Sequence, residues 1–346
     1  MTRHWQLIEN ASLQARNTFG VHARTPWLLK LDDAVALPEA LALPQLQGVA
    51  PLVLGSGSNI LFAGDAPVPV LVLTAAAIGL LAERDGIASI RVDAGVPWHD
   101  LVQWTLEQGL MGFENLALIP GTTGAAPIQN IGAYGTEVGE FITCVEVFDR
   151  EAGAMARIGH EQCGFAYRDS VFKRGGGRYV VVAVEFALPR QRALRVGYAG
   201  IGEELVSMGV TRPTFRDVAA AVIRLRRRKL PDPQVIGNAG SFFKNPIVDA
   251  AVAEQLQAQF PRLPVYPGAR AGTRKLSAAW LIEACGWKGY REGDAGVAAS
   301  HALVLVNHGG ASGAQLLALA RRIADSVHER FGVALEPEPR IVGGIW

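Results

Sequence analysis

The sequence predicts an α+β fold in two parts. Three observations predict it. Short apolar runs broken by glycine and proline fill the first half, a basic helix stops against Leu230 to Pro233, and helix and strand patterns alternate beyond that point. The chain has 346 residues, against about 150 for one domain, so a boundary is expected near Pro231. Apolar residues make up 49% and charged residues 19%, the balance of a packed globular chain.

Taken in order, strands are expected at Trp27–Leu31, Leu52–Leu54, Val70–Leu73, Ser89–Val92 and Val145–Asp149, and over the valine-rich run Tyr179–Leu188. One helix falls among them. Pro97 suits its first turn, Leu101, Val102 and Trp104 supply an apolar face, and Gly109 ends it. Thr214 and Asp217 have capping-box spacing, and Val218, Val222 and Leu225 follow on one helical face. That helix runs through the basic stretch Arg224 to Lys229 until proline stops it. Leu276–Cys285 reads as a helix ended by Gly286, and Ala302–Val306 as a buried strand. Leu316, Ala320, Ile323, Val327 and Phe331 mark a long amphipathic helix closed by Gly332. The proline-rich stretch Leu335–Ile345 reads as extended, and no internal repeat is evident.

Charge and composition narrow the function. Lys plus Arg is 33 and Asp plus Glu is 32, a net charge of +1, which argues against a protein that grips nucleic-acid backbone. Cys144, Cys163 and Cys285 are odd in number and lack CxxC spacing, so neither a disulfide framework nor a cysteine zinc site is expected, and a reducing cytoplasm is. The histidines show no metal spacing, and no metal is expected. Residues 1–20 hold no apolar signal region, and Val68 to Ala82 is too short and interrupted to span a membrane. The excess lies in glycine: 39 residues, well above the ~7% typical share.

The glycines cluster in motifs. Gly55, Ser56, Gly57, Ser58 and Asn59 follow an expected strand, where a run of backbone N–H groups can form a nest for phosphate. Ile60 stands where a Rossmann fingerprint needs its third glycine, so that fold is disfavoured and a tight turn remains the alternative. From Asn115 to Thr136 no residue is charged. This long irregular segment either packs small residues or wraps a large ligand such as a flavin or dinucleotide with neutral donors. Tyr167-Arg168-Asp169-Ser170 offers a guanidinium for an anion, or simply an ion pair. In Gly237 to Pro246, Ser241 is either a turn cap or a proton donor, since the G-x-S-x-G elbow of serine hydrolases is absent. The basic run Arg224 to Lys229 suits a helix C-terminus, at about 0.3–1 kcal/mol per exposed cation, or brings Lys229 to an anionic ligand. Glu336 to Arg340 places two carboxylates and a guanidinium on a stiff strip.

In their order and spacing Gly55–Asn59, Pro120–Gly135, Tyr167–Ser170, Gly237–Pro246 and Pro337–Arg340 resemble the UDP-N-acetylenolpyruvoylglucosamine reductase (MurB) family, in its longer subtype, from about Asn17 to Ile341. The resemblance implies a cytoplasmic flavoenzyme of peptidoglycan synthesis with the FAD-binding fold of the vanillyl-alcohol-oxidase-like (PCMH-type) flavoproteins and a smaller C-terminal α/β substrate domain. It implies non-covalent FAD, NADPH as reductant, and UDP-N-acetylglucosamine enolpyruvate as substrate, with a monomer and no nucleic-acid or membrane partner expected. FAD is then held by Gly55, Ser56, Gly57, Ser58 and Asn59, by Pro120, Gly121, Thr122, Thr123 and Gly124, by Asn130, Ile131, Gly132, Ala133 and Tyr134, and by Arg340. Ser241 matches the proton donor to substrate C2, with hydride reaching C3 from flavin N5. Arg168 and Glu338 match the pair that stabilises the enolic intermediate. Lys229, Asn245, Tyr266 and Lys275 match substrate contacts, and Tyr198, in an insert between about 189 and 214, matches an aromatic that closes over the nucleotide. The implied division is 1–80 with 333–346 packing back, 81–230, and a substrate domain at 231–332. Pro339 stands where the family usually has a β-branched residue, which removes an N–H from the strip. The competing readings are an alcohol oxidase of the same superfamily and a non-catalytic flavin- or nucleotide-sugar-binding module.

Overall fold

The computed structural model describes residues 4–198, 200–268 and 270–346. The chain divides into two compact units, one formed by the chain up to Ala11, Thr25–Ser56 and Val68–Arg227, the other by Ser12–Arg24, Gly57–Pro67 and Arg228–Trp346.

The first unit is built on the valine-rich run. Tyr179–Pro189 lies at the centre of a five-stranded antiparallel sheet, in the order Ala154–Gly159, Ile142–Asp149, Tyr179–Pro189, Ile87–Asp93, Ile78–Arg84. From Val180 to Val184 both faces of this strand are buried, which is why it reads there as near-continuous valine rather than strict alternation. Val181, Val184 and Phe186 enter one core, while Val180 and Val182 enter another. Helices Trp98–Glu107 and Phe215–Lys229 cover the first core through Trp98, Leu101, Val102, Val218, Val222 and Leu225. Each fully buried side chain of this size stabilises the fold by about 1.5–3 kcal/mol. The second core lies under a four-stranded sheet ordered Trp5–Ser12, Arg24–Leu31, Val70–Leu73, Leu52–Val53, in which Val70–Leu73 runs parallel to both of its neighbours.

The solvent face of the five-stranded sheet carries an ion-pair ladder. Arg91 bridges Asp93 at 2.7 Å and Glu146 at 2.8 Å, and Arg157 bridges Glu146 at 2.9 Å and Glu185 at 2.8 Å. Burial alone would raise the Glu146 carboxyl, but Arg91 and Arg157 override it and hold it below its usual 4.5. Its contribution is therefore complete above about pH 4.5 and is lost as pH falls further. Glu146→Gln is expected to lower Tm by about 2–4 °C at pH 7. Thermal scans from pH 7 to 3 check this: the gap to wild type should close in acid, and a constant gap would refute the electrostatic account.

The second unit is organised by helix Gly313–Phe331, with a Ser312–Gln315 capping box and left-handed Gly332 closing it. Its first residue abuts strand Ile60–Phe62 so closely that a Cβ on Gly313 would lie 1.7 Å from the Phe62 carbonyl oxygen. Arg340–Val342 pairs in parallel with Ile60–Phe62. Two three-stranded antiparallel sheets complete the unit, ordered Ile247–Asp249, Thr273–Leu276, Val265–Pro267 and Arg291–Glu292, Ala295–Val297, Leu305–Asn307.

Several elements differ from expectation. Pro97 is the N-cap of its helix and not a residue of its first turn, and the helix closes at Gln108 with Gly109 following at φ +71°. The helix expected from Leu276 begins at Ala278, because Ser277 accepts a hydrogen bond from the Trp280 amide at 3.3 Å and leaves Leu276 in a strand. The strand expected at Ala302–Val306 is Leu305–Asn307, since Leu303 and Val304 are engaged by the Ser241 segment. Ile78–Arg84, an edge strand exposed along most of its length, has no apolar alternation to reveal it. Helix Ile201–Ser207 lies in the insert. Among the described residues, no helix is long and apolar enough to cross a membrane, and no cluster of three metal-ligating side chains occurs.

Candidate active site

In the first unit, the loop after strand Leu52–Val53 meets the start of the uncharged segment. A Cβ on Gly55 would lie 2.6 Å from Thr122 Oγ1. Among the described residues, the amides of Gly55, Ser56, Gly121 and Thr122 donate no hydrogen bond. Four unspent N–H groups around a point too tight for a side chain form a neutral nest for an anion such as pyrophosphate. The residues present therefore fit a dinucleotide cofactor.

The uncharged segment is fixed from within. Thr123 donates to the Val96 carbonyl through its amide at 2.8 Å and its hydroxyl at 3.1 Å, and the Gly124 amide donates to Ala94 at 2.9 Å. Buried Asn130 donates to Glu137 at 2.8 Å and to the Ala166 carbonyl at 3.2 Å, and accepts from the Gly139 amide at 2.9 Å. The side chains of Thr123 and Asn130 are thus spent on the protein, and their part is to shape the loop. Gly132–Ala133 pairs with Thr136–Glu137, while the Ile131 amide donates to Ala126 at 3.1 Å. Pro120 stands exposed at the start. Tyr134 has φ +50°, and its ring meets Tyr198 edge-on at 5.5 Å. Buried Asn115 ties this corner together, donating to the Tyr134 carbonyl at 3.1 Å and the Arg195 carbonyl at 2.9 Å. Arg195 donates to the Gly135 carbonyl at 2.7 Å and pairs with Glu140 at 2.6 Å. Sequence reasoning missed both residues, although Asn115 opens the uncharged run it had marked.

The Tyr167–Ser170 tetrad is a tight turn docked on that loop. Asp169 pairs with Arg174. Ser170 Oγ donates to the Ile128 carbonyl at 2.6 Å, and Arg168 Nη2 donates to the Gly132 carbonyl at 2.8 Å. Arg168 itself has φ +54°. Leu118, Asn130, Tyr134 and Arg168 are four non-glycine residues in the left-handed region around one loop system, a strain of about 1–3 kcal/mol each that surrounding contacts must hold.

The basic run of the 215–229 helix splits into separate roles. Arg224 pairs with buried Glu204 at 3.7 Å. Arg226 turns inward, donating from Nε to the Leu118 carbonyl at 3.2 Å. Burial pushes its guanidinium down from the usual range, Tyr134 opposes that shift, and the Arg168 cation adds to it. The sequence did not single out Arg226 within the basic run.

In the second unit, Gly57 has φ +67°, and a Cβ there would lie 2.0 Å from the Arg16 carbonyl oxygen. Ser58 is half-buried beside it. Asn59 fastens the C-terminal strip: its carbonyl accepts from the Arg340 amide at 3.0 Å, and its Nδ2 donates to the Glu338 carbonyl at 3.4 Å. The Glu338 amide donates in turn to the Phe242 carbonyl at 2.8 Å. Pro339 falls between two used donors, so its missing N–H costs the strip no pairing. Ser241 follows a turn closed by Asn238, whose Oδ1 accepts from the Gly240 amide at 3.0 Å. Phe242 and Phe243 anchor its other side, fully buried. The Ser241 hydroxyl makes no hydrogen bond among the described residues and is half-buried.

Asn245 Oδ1 accepts from the Ala278 amide at 3.0 Å, and the neighbouring Pro246 carbonyl accepts from Leu276 at 2.9 Å. Tyr266 and Lys275 face each other across the sheet, the Nζ 5.9 Å from the ring centroid. Lys229 is exposed, its carbonyl held by Ser300 Oγ at 2.9 Å. Burial, then Lys229 and Lys288, push the His301 imidazole down.

A family model for the C-terminal domain of UDP-N-acetylenolpyruvoylglucosamine reductase matches residues 232–342, and one for an FAD binding domain matches residues 28–159. A reductase of that name from Xanthomonas euvesicatoria pv. vesicatoria is 59% identical over 342 residues, covering 99% of this chain and 98% of its own. The chain belongs to the UDP-N-acetylenolpyruvoylglucosamine reductase family. A reductase from Xylella fastidiosa is 56% identical over 100% of this chain and 98% of its own. The crystal structure of the UDP-N-acetylenolpyruvylglucosamine reductase (MurB) from Thermus caldophilus matches with TM-score 0.67 and 26% identity, over 98% of both chains. The expected fold class holds: an α+β FAD-binding fold followed by the smaller C-terminal domain of these reductases.

Proposed function

We propose that this chain catalyses the NADPH-dependent, FAD-mediated reduction of UDP-N-acetylglucosamine enolpyruvate to UDP-N-acetylmuramate in peptidoglycan synthesis. Family membership over nearly the whole chain carries the reading. Bound FAD supplies the hydride chemistry that no amino-acid side chain provides. The amides of Gly55, Ser56, Gly121 and Thr122 would hold its phosphates without adding charge. Arg168 neutralises the negative charge that develops in the substrate's carboxylate, in a site already oriented for it. Ser241 Oγ gives its proton to C2, and Glu338 holds the enolic oxygen. Two features support these roles: the Ser241 hydroxyl is unspent, and the backbone fastens its segment to that of Glu338. Lys229, Asn245, Tyr266 and Lys275 bind the nucleotide sugar, with Tyr198 over it. Residues 231–332 form the substrate domain in this reading, and 1–80 and 81–230 the two FAD subdomains. The unpaired Cys144, Cys163 and Cys285 suit a cytoplasmic monomer working in a reducing compartment.

An anaerobic absorbance titration tests this. Yellow protein should bleach with NADPH and recover its colour with UDP-N-acetylenolpyruvoylglucosamine. Recovery with oxygen alone would favour an alcohol oxidase, and protein that cannot be loaded with FAD would overturn the reading.

A further inference from the structure

We propose that His99 is a positioning residue for the cofactor loop. In its neutral form, with Arg226, it locks Leu118 in the left-handed conformation from which the 120–135 loop departs. The proposal rests on that loop holding FAD, as argued above.

The first turn of the 98–107 helix grips the segment leading into the loop at three points. Trp98 Nε1 donates to the Leu116 carbonyl at 3.0 Å, and the Trp98 amide donates to the Gly121 carbonyl at 3.0 Å. The Leu118 amide donates to His99 Nδ1 at 3.1 Å. From the other side Arg226 Nε donates to the Leu118 carbonyl at 3.2 Å. Both polar groups of the Leu118 backbone are therefore held by side chains. At φ +59° this is a conformation that leucine leaves when released. Two residues later the chain enters the stretch whose amides, at Gly121 and Thr122, remain unspent.

Nδ1 can accept only while it lacks a proton. The ring proton then sits on Nε2, 3.3 Å from Nε2 of Gln103, and turning that amide over, which exchanges its nitrogen and oxygen, brings in the acceptor. A second proton would set a donor at Nδ1 against the Leu118 N–H. Burial resists that proton most, Asp100 favours it, and Arg227 and Arg226 resist it further, so the imidazole is held below its ordinary 6.5. The grip is therefore complete above about pH 6.5 and is released as pH falls below it.

The experiment measures FAD affinity of the full chain by flavin-fluorescence quenching between about pH 5 and 8, in wild type, His99→Ala and His99→Asn, with Tm of each apoprotein. His99→Ala should bind FAD about tenfold more weakly at neutral pH, the worth of one such hydrogen bond. Asparagine can accept from the Leu118 N–H and does not titrate, so His99→Asn should recover most of the affinity. It should also lose the acid limb, across which wild-type affinity falls about tenfold. Superimposed acid limbs for wild type and His99→Asn, or full affinity in His99→Ala, would overturn the proposal. A lowered Tm without the pH difference would leave His99 merely structural and overturn it too. Wild type that binds no FAD at any pH would instead bring down the cofactor reading, and this proposal with it.

Discussion

Ser241→Ala is expected to leave FAD binding and reduction by NADPH unchanged, while re-oxidation by the enolpyruvyl substrate slows at least about a thousandfold, within the 10²–10⁴ of a positioned proton donor. The structure makes this a clean substitution. The Asn238 turn fixes the backbone on one side of Ser241, and buried Phe242 and Phe243 fix it on the other. The hydroxyl makes no hydrogen bond among the described residues, so its removal leaves no orphaned partner and Tm should stay within about 1 °C. A free hydroxyl half-open to its surroundings is what a donor to a short-lived basic carbon needs, since solvent or a neighbouring acid must return the proton after each turnover. Stopped-flow spectroscopy separates the two half-reactions. Normal re-oxidation in the variant would remove Ser241 from the mechanism, and slowed reduction by NADPH would mean that the substitution disturbs the cofactor. Ser241→Cys, which keeps a proton on a larger atom, should recover part of the lost rate.

What was legible in the sequence were features that local chemistry alone determines. The valine run at 179–188, the capping box at Thr214, and the glycine at 332 each act through neighbours close in the chain. The 22-residue stretch without charge from Asn115 to Thr136 could be marked for a related reason, since it suits either small-residue packing or a neutral-walled ligand site. What stayed hidden depends on partners far away in the chain. Arg226 looks like any member of a basic run until its neighbour across the fold, the Leu118 carbonyl, is known. The same holds for Asn115 and Arg195, which join residues some 80 positions apart. Thr123 and Asn130 carry a second layer that the sequence did not show: their side chains hold the loop's own shape.

Strain connects these observations. Glycine would be the low-energy choice at the left-handed positions of this loop system, yet leucine, asparagine, tyrosine and arginine occupy four of them. At Asn130 the side chain compensates by binding the backbone around it. At Leu118 outside side chains do so. At Arg168 the guanidinium lies 5.2 Å from the neighbouring Tyr167 ring and reaches the Gly132 carbonyl, while Lys173 Nζ donates to the Arg168 carbonyl at 2.8 Å. A residue kept in a costly conformation for the sake of where its side chain goes is a residue whose side chain is being used.

Arg168 therefore yields the second large expected effect. Arg168→Gln should lower the rate of substrate reduction by about 10²–10³, the range for removing one preorganised charge-stabilising donor, with flavin reduction by NADPH little changed. Arg168→Lys should recover only part of this, because a single ammonium cannot both hold the Gly132 carbonyl and present a planar pair of donors to a carboxylate. Arg168→Gly separates function from fold. It removes the guanidinium and its 2.8 Å hydrogen bond, but it also relieves the φ of +54°, worth about 1 kcal/mol. Its Tm should therefore lie at or above that of Arg168→Gln although both are equally impaired in catalysis, the exchange of stability for activity seen where a strained residue serves a site. Thermal melts beside single-turnover kinetics of the three variants decide the matter. If Arg168→Gly melts well below Arg168→Gln, the arginine holds the loop and not the substrate. If Arg168→Gln keeps wild-type re-oxidation, the charge on the reacting carboxylate is met elsewhere, and Arg226 becomes the residue to test.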